Sequence, residues 1–145
     1  MHKGAQTSEK KLHASSVAIG DQAVLIKGPS GSGKSTLALK LMGLGATLIA
    51  DDKTFLQRSN DKVLASCPKS IEGQIEARGI GIISVPFVND VPVSLIVDLS
   101  NSVNERMPEY DTESHFGISI RRIGRAPLDA FAEAIYLVCV GGKEV

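Results

Sequence analysis

An α/β domain built on a mixed, largely antiparallel sheet is the fold class the sequence predicts, on three observations. Stretches of strand character outnumber helical ones along the chain. Only two segments, 34–45 and 127–140, show helical spacing of their apolar residues. An open parallel sheet needs a crossover helix for nearly every strand pair, so two helices are too few for a doubly wound fold. With 145 residues, one domain is the natural expectation. We expect a flexible polar lead-in over residues 1–11 and a single domain over 12–145.

The elements follow in order. "LHASSVAIG" (12–20) partly alternates and "QAVLIKG" (22–28) is apolar and β-branched. With Gly20-Asp21 between them, they read as two strands joined by a tight turn. "KSTLALKLMGLG" (34–45) sets Leu37, Leu41 and Leu44 on one helical face, and Gly43 and Gly45 suit its C-terminal end. "ATLIADD" (46–52) is a short apolar strand ending in two aspartates. "KTFLQRS" and "KVLASC", separated by "NDK", read as a hairpin. Residues 71–85, "IEGQIEARGIGIISV", mix short apolar runs with three glycines, which predicts a loop-rich functional segment. "VPVSLIVDLS" (91–100) is a buried strand, 101–114 a polar loop, and "FGISIRRIGR" (116–125) a strand with an arginine-rich end. Pro127 opens the last helix, with Leu128, Phe131 and Ile135 on one face.

Composition excludes several classes. Sixteen basic and sixteen acidic side chains balance, which gives no support to a broad basic surface for nucleic acid. No apolar run is long enough to span a membrane, and the polar first eleven residues do not form a secretory signal. The two cysteines, Cys67 and Cys139, lack metal-type spacing. They read as reduced, buried thiols of a cytoplasmic protein.

The most specific motif is "GPSGSGKS", residues 28–35. Gly28, Gly33, Lys34 and Ser35 match the phosphate-binding loop pattern G-x-x-x-x-G-K-S in full, between an apolar strand and an amphipathic helix. The glycines let backbone N–H groups of Gly28, Pro29's neighbours Ser30, Gly31, Ser32 and Gly33, and Thr36 beyond them approach phosphate oxygens. Lys34 supplies charge to the β- and γ-phosphates, Ser35 can ligate magnesium, and the helix N-terminus faces the anion. ATP or another nucleoside triphosphate, with Mg²⁺, is the natural ligand.

Asp51 and Asp52 close the next strand. One carboxylate there can hold a metal and the other can accept a proton from a hydroxyl nucleophile. Neighbouring residues of an extended strand point to opposite faces, so both serve one site only if the backbone turns. The bland alternative is an aspartate-rich strand end. His13 lies 15 residues before Gly28, beside the strand that feeds the loop, and a lone histidine is more often structural. Glu76 and Arg78 flank a glycine-rich turn, as a metal ligand with a phosphate contact or as an exposed ion pair. Arg106 sits in the polar loop, and Arg121, Arg122 and Arg125 cluster at a strand end, where guanidinium groups would neutralise a transferring phosphoryl group or simply be solvated.

Together these residues resemble the catalytic domain of HPr kinase/phosphorylase, a bacterial serine kinase acting on the phosphocarrier HPr of the sugar phosphotransferase system. The resemblance covers about residues 12–126. It rests chiefly on "GPSGSGKST…LIADD" and on "IEARGIGII", which is similar to the family signature E-x-R-G-x-G-I-I. It implies a P-loop kinase fold similar to phosphoenolpyruvate carboxykinase. Lys34 and Ser35 would bind triphosphate and magnesium, with Glu76 and Asp51 as further metal ligands. Asp52 would take the proton of the substrate serine, Asp51 being the alternative for that role. His13 and Arg106 ("SLIVDL" followed by "ERM") would assist transfer. "RIGR" resembles a loop used in removing phosphate, which gives Arg122 and Arg125 with Arg78 as phosphate contacts. The resemblance further implies the reverse reaction, in which inorganic phosphate attacks phosphoserine and releases pyrophosphate, and a homo-oligomer, trimer or hexamer. Pro29 stands where many members have aspartate, Ala14 where glycine follows the histidine, and Ala126 where asparagine is usual; the short form is similar to those of α-proteobacteria. Two other readings stand beside this one: a small-molecule P-loop kinase, and an ATP-binding regulatory partner of a signalling protein.

Overall fold

Nine strands form one sheet around the segment that carries the phosphate loop. The computed structural model describes residues 8–141. In chain order the strands are β1 (Glu9–Leu12), β2 (Ala14–Ile19), β3 (Gln22–Lys27), β4 (Thr47–Ala50), β5 (Thr54–Ser59), β6 (Lys62–Ser66), β7 (Gln74–Ala77), β8 (Gly81–Ser84), β9 (Val91–Ser102), β10 (Asp111–His115) and β11 (Ile118–Arg125). Helix α1 spans Lys34–Gly43 and α2 spans Phe131–Cys139. The large sheet runs β1-β5-β6-β9-β3-β2-β4, with β11 beside β9 and β10 beside β11, while β7 and β8 form a separate hairpin. Among the named strands β9 pairs in parallel with β3 and with β11, the other strand pairs are antiparallel, and Leu48 of β4 adds an isolated parallel bridge to Phe87. The sheet is therefore mixed and mostly antiparallel, as the shortage of helices requires.

Both faces of the central strands are covered. Along β3, Val24 and Ile26 join the cluster containing Leu37 and Leu41 of α1 and Ala132 and Ile135 of α2. Ala23 and Leu25 join the opposite cluster, with Leu56, Val63 and Ala65 of the β5–β6 hairpin. Strand alternation divides the side chains this way, and burial on both faces explains why β3 and β9 read as unbroken apolar runs. The same parity separates two adjacent serines. Ser15 shares the α1 face with Val17 and Ile19, while Ser16 turns the other way and bonds Thr54 Oγ1 at 2.9 Å.

The structure departs from the sequence expectation at four places. The lead-in falls outside the described residues over 1–7, but Glu9–Leu12 is a strand paired with β5. Lys10 and Lys11 there lie over the rings of Phe116 and Phe55, so aliphatic stems and cation–π contacts order a stretch that looked merely polar. Residues 71–85 contain a hairpin, β7–β8, turning at Arg78, Gly79 and Ile80. The polar stretch 101–114 is strand at both ends, in β9 and β10. β10 is held by ion pairs in place of an apolar face, and hydrophobic periodicity is blind to those. The last helix begins at Phe131, with residues 127–130 outside it.

Candidate active site

The loop from Gly28 to Gly33 leaves the end of β3 and enters α1. Gly31 and Gly33 have φ of 83° and 102°, left-handed values at which side chains other than glycine are strained. At Gly28 an added Cβ would lie 2.5 Å from Ser32 Oγ. Lys34 is buried and its ammonium donates to the carbonyls of Gly28 (2.9 Å) and Pro29 (3.2 Å). The lysine thus folds back over the glycine-rich loop. Thr36 is exposed on the first turn of α1.

At the end of β4 the two aspartates converge. Ser35 Oγ donates to Asp51 Oδ1 at 2.6 Å, and the Glu76 backbone N–H donates to Asp51 Oδ2 at 3.1 Å. Asp52 adopts φ 70°, and the Lys53 N–H closes onto the Asp51 carbonyl at 2.8 Å. This is a γ-turn of the rarer, strained hand, and a non-glycine residue held so costs on the order of 1–3 kcal/mol. The turn answers the alternation problem, because it swings Asp52 back to the side where His13 Nε2 meets its Oδ1 at 2.6 Å. His13, Ser35, Asp51, Asp52 and Glu76 are thereby brought into one hydrogen-bonded neighbourhood from four separate stretches of chain.

The arginines divide. Arg125 reaches back to the loop and donates to the Ser32 carbonyl. Gly124, beside it, lets β9 bulge close against β11, since a Cβ there would sit 2.4 Å from the Asn101 carbonyl. Arg122, three residues earlier, points to the other face. It donates to Asp111 Oδ2 (2.7 and 3.0 Å) and Glu113 Oε1 (3.2 Å). Arg78 is exposed on the β7–β8 turn. Arg106 lies in the 103–110 loop, on the wall of a cavity of about 1040 Å³ bounded also by Arg121, Arg122, Leu128 and the Phe131, Ile135 and Val138 side of α2.

Oxygen donors dominate the cluster: the Asp51 and Asp52 carboxylates and the Ser35 hydroxyl, with the Glu76 backbone N–H against Asp51. Among the described residues no three His, Cys, Asp or Glu side chains gather closely enough to hold an ion alone. Magnesium does not require that, since it completes its shell with phosphate oxygens and water. The donor set fits Mg²⁺ accompanying a nucleotide. Both cysteines are free and buried, and burial first, then Glu72 and Asp51, pushes the Cys67 thiol up to about 11. At neutral pH it is a thiol, not a thiolate.

Ser15 was not among the residues singled out from the sequence. It is fully buried, donates to Asp51 Oδ1 at 3.0 Å and accepts the Asp52 N–H at 3.1 Å. The alternation of "ASSVAI" could have placed it on the loop's face, but its partners lie 36 and 37 positions away.

Residues 5–115 match the model of the HPr Serine kinase C-terminal domain. The chain belongs to that family. An HPr kinase/phosphorylase of Exiguobacterium sp. is 42% identical over 98 residues, 62% of this chain and 32% of that protein. The corresponding Bordetella pertussis protein is 34% identical over 113 residues, 69% of this chain and 37% of its own length. The chain thus spans about a third of the curated relatives it matches. The structure of the Hpr(Ser) kinase/phosphatase from Coxiella burnetii superposes with a TM-score of 0.74 at 32% identity, covering 90% of this chain and 93% of that one. Family membership accords with the order of the site along the chain: histidine, phosphate loop, paired aspartates and the E-A-R-G hairpin, all inside the matched span.

Proposed function

We propose that this domain is an ATP-dependent protein-serine kinase acting on an HPr-like phosphocarrier, and that it also runs the phosphate-dependent reverse reaction. The observation that carries the reading is the turned pair Asp51–Asp52 beside Ser35 and His13 at the mouth of the phosphate loop. ATP would lie along Gly28–Thr36 with Lys34 on its terminal phosphates. Magnesium, when bound, would neutralise charge on the β- and γ-phosphates; Ser35, Asp51 and Glu76 would hold it.

Asp52 is exposed and paired with His13, so it is accessible to an acceptor. In the forward direction Asp52 takes the serine proton as the serine oxygen bonds to the γ-phosphorus, and the bond to the β–γ bridging oxygen breaks, releasing ADP. In reverse, an oxygen of inorganic phosphate attacks the phosphoserine phosphorus, Asp52 returns the proton to the serine oxygen, and pyrophosphate leaves. His13 keeps Asp52 oriented. Arg125, already against the loop, would contact the transferring group, and Arg78 and Arg106 would approach with the acceptor. Arg122 would act at a distance, by fixing β10 to β11. A cytoplasmic location and assembly as a trimer or hexamer belong to the same proposal, the latter checked by light scattering.

The test is a phosphorylation assay on HPr and its nitrogen-system relative with ATP and Mg²⁺, followed by added phosphate. Label gained on serine and then lost with pyrophosphate appearing is the expected result. Label gained but not lost leaves a kinase alone. ATP binding with no label on either carrier would overturn the kinase reading in favour of an ATP-sensing regulatory partner.

A further inference from the structure

We propose that Ser15 is the positioning residue that holds the two aspartates in working register; this rests on the kinase reading above. A serine hydroxyl has one proton to give and lone pairs to receive. Ser15 uses both on consecutive residues: its proton goes to Asp51 Oδ1, and its oxygen takes the Asp52 N–H. The first bond shares a carboxylate oxygen with Ser35 Oγ, so Ser15 and Ser35 approach Asp51 together and fix the direction in which it faces. The second bond falls inside the turn centred on Asp52, at φ 70°. Strained turns persist only where the surroundings over-determine them, and Ser15 is fully buried on β2, paired with Ile26 of β3, in a strand that also pairs with β4. One rigid hydroxyl therefore ties the carboxylate assigned to the metal to the backbone of the carboxylate assigned to the proton. If the Ser15 hydroxyl is lost, Asp51 and Asp52 lose an anchor together.

Ser15→Ala removes both bonds and leaves the Asp52 N–H without its partner. Ser16→Ala is the matched control: the same substitution one residue on, at an equally buried hydroxyl bonded to Thr54 and not to either aspartate. Two readouts are needed, the Mg²⁺ dependence of binding of a fluorescent ATP analogue and the kcat and KM of transfer to HPr. Loss of an orienting partner to a metal ligand typically costs about 10–100-fold. Ser15→Ala should raise the Mg²⁺ half-saturation and lower kcat on that scale, with KM for the carrier little changed; Ser16→Ala should do neither. Ser15→Thr, which keeps the hydroxyl, should stay close to wild type in Mg²⁺ response. Wild-type-like Mg²⁺ half-saturation in Ser15→Ala, or equal losses in Ser15→Ala and Ser16→Ala, would overturn the proposal. Failure of the wild-type protein to label any carrier would sink the kinase reading separately, while the Mg²⁺ titration would still report whether Ser15 holds Asp51.

Discussion

The two faces of the central sheet carry charged clusters of opposite character. On the α1 face, Asp51 and Asp52 lie beside the half-exposed His13, with the Glu76 backbone N–H on Asp51, and one of the aspartates sits in a strained turn. On the other face, Lys27 Nζ meets both Glu113 oxygens (2.8 and 3.0 Å), His115 meets Glu113 at 2.7 Å, and Arg122 spans Glu113 and Asp111. The second cluster pairs each acid with a cation, and Glu113 and His115 at its centre are largely buried. Burial pushes the Glu113 carboxyl up, but hydrogen bonds from Lys27 and His115 outweigh it and hold the group below its ordinary range. The Arg122 hydrogen bond does the same for Asp111. Acids satisfied by cations in place serve the fold. Acids gathered with few cations, on a strained backbone, are poised to receive something else.

Four substitutions or conditions sharpen this contrast. The largest effect is expected from Lys34→Ala, which removes the charge over the loop. ATP affinity measured by calorimetry should fall by about 10²-fold, the loss of charge-assisted hydrogen bonds to phosphate, and transfer should vanish with it. Asp52→Asn should leave ATP affinity nearly intact and cut turnover by roughly 10²-fold or more, the scale of a general base. Loss of Mg²⁺-dependent binding instead would reassign Asp52 to the metal.

Across the sheet the signs should reverse. Glu113→Gln leaves Lys27 and His115 without their carboxylate and should cost about 2 kcal/mol in urea unfolding, with turnover barely moved. A large fall in turnover at unchanged stability would break the division between the faces. The smallest effect is the pH response of His115. Burial is the main cause holding its imidazole below the ordinary 6.5, with Lys10 and Lys27 adding to it against Glu113. A depressed folded value means that the unfolded chain takes up the proton first. Stability is therefore full above about 6.5 and declines as pH falls from there toward the lowered folded value. Melting curves between pH 7 and 5 should show this slope, and His115→Gln should flatten it. Glu113, also depressed, adds its own loss only in more acidic solution, as pH falls below its ordinary 4.5.

How much of this was legible differs between the faces for a physical reason. The phosphate loop, the strand before it and the helix after it were readable because their roles are fixed by local backbone demands, glycine at positive φ above all. The paired aspartates were visible as a pattern, but not the turn at Asp52 that unites them, since that turn is imposed by Ser15 from another strand. β10 was hidden because "DTESH" presents ion pairs to its neighbours and no apolar alternation. Arg122 and Arg125 looked equivalent in "RIGR", yet an odd spacing on a strand sends them to opposite faces, one into the ion-paired cluster and one to the loop. Chemistry written in contiguous residues could be read; chemistry assembled across strands had to be seen.

The three strands that run in parallel, β3, β9 and β11, have a practical corollary. They share one direction, so the phosphate loop, the β9 bulge and Arg125 all emerge at one rim of the sheet, where ligands of open sheets gather. The turn at Gly20 and Asp21 belongs to the other end of β3, is exposed, and has open space around Gly20. That turn is a place to graft an affinity peptide or a fluorescent reporter, at the far end of the strand from the glycine-rich loop.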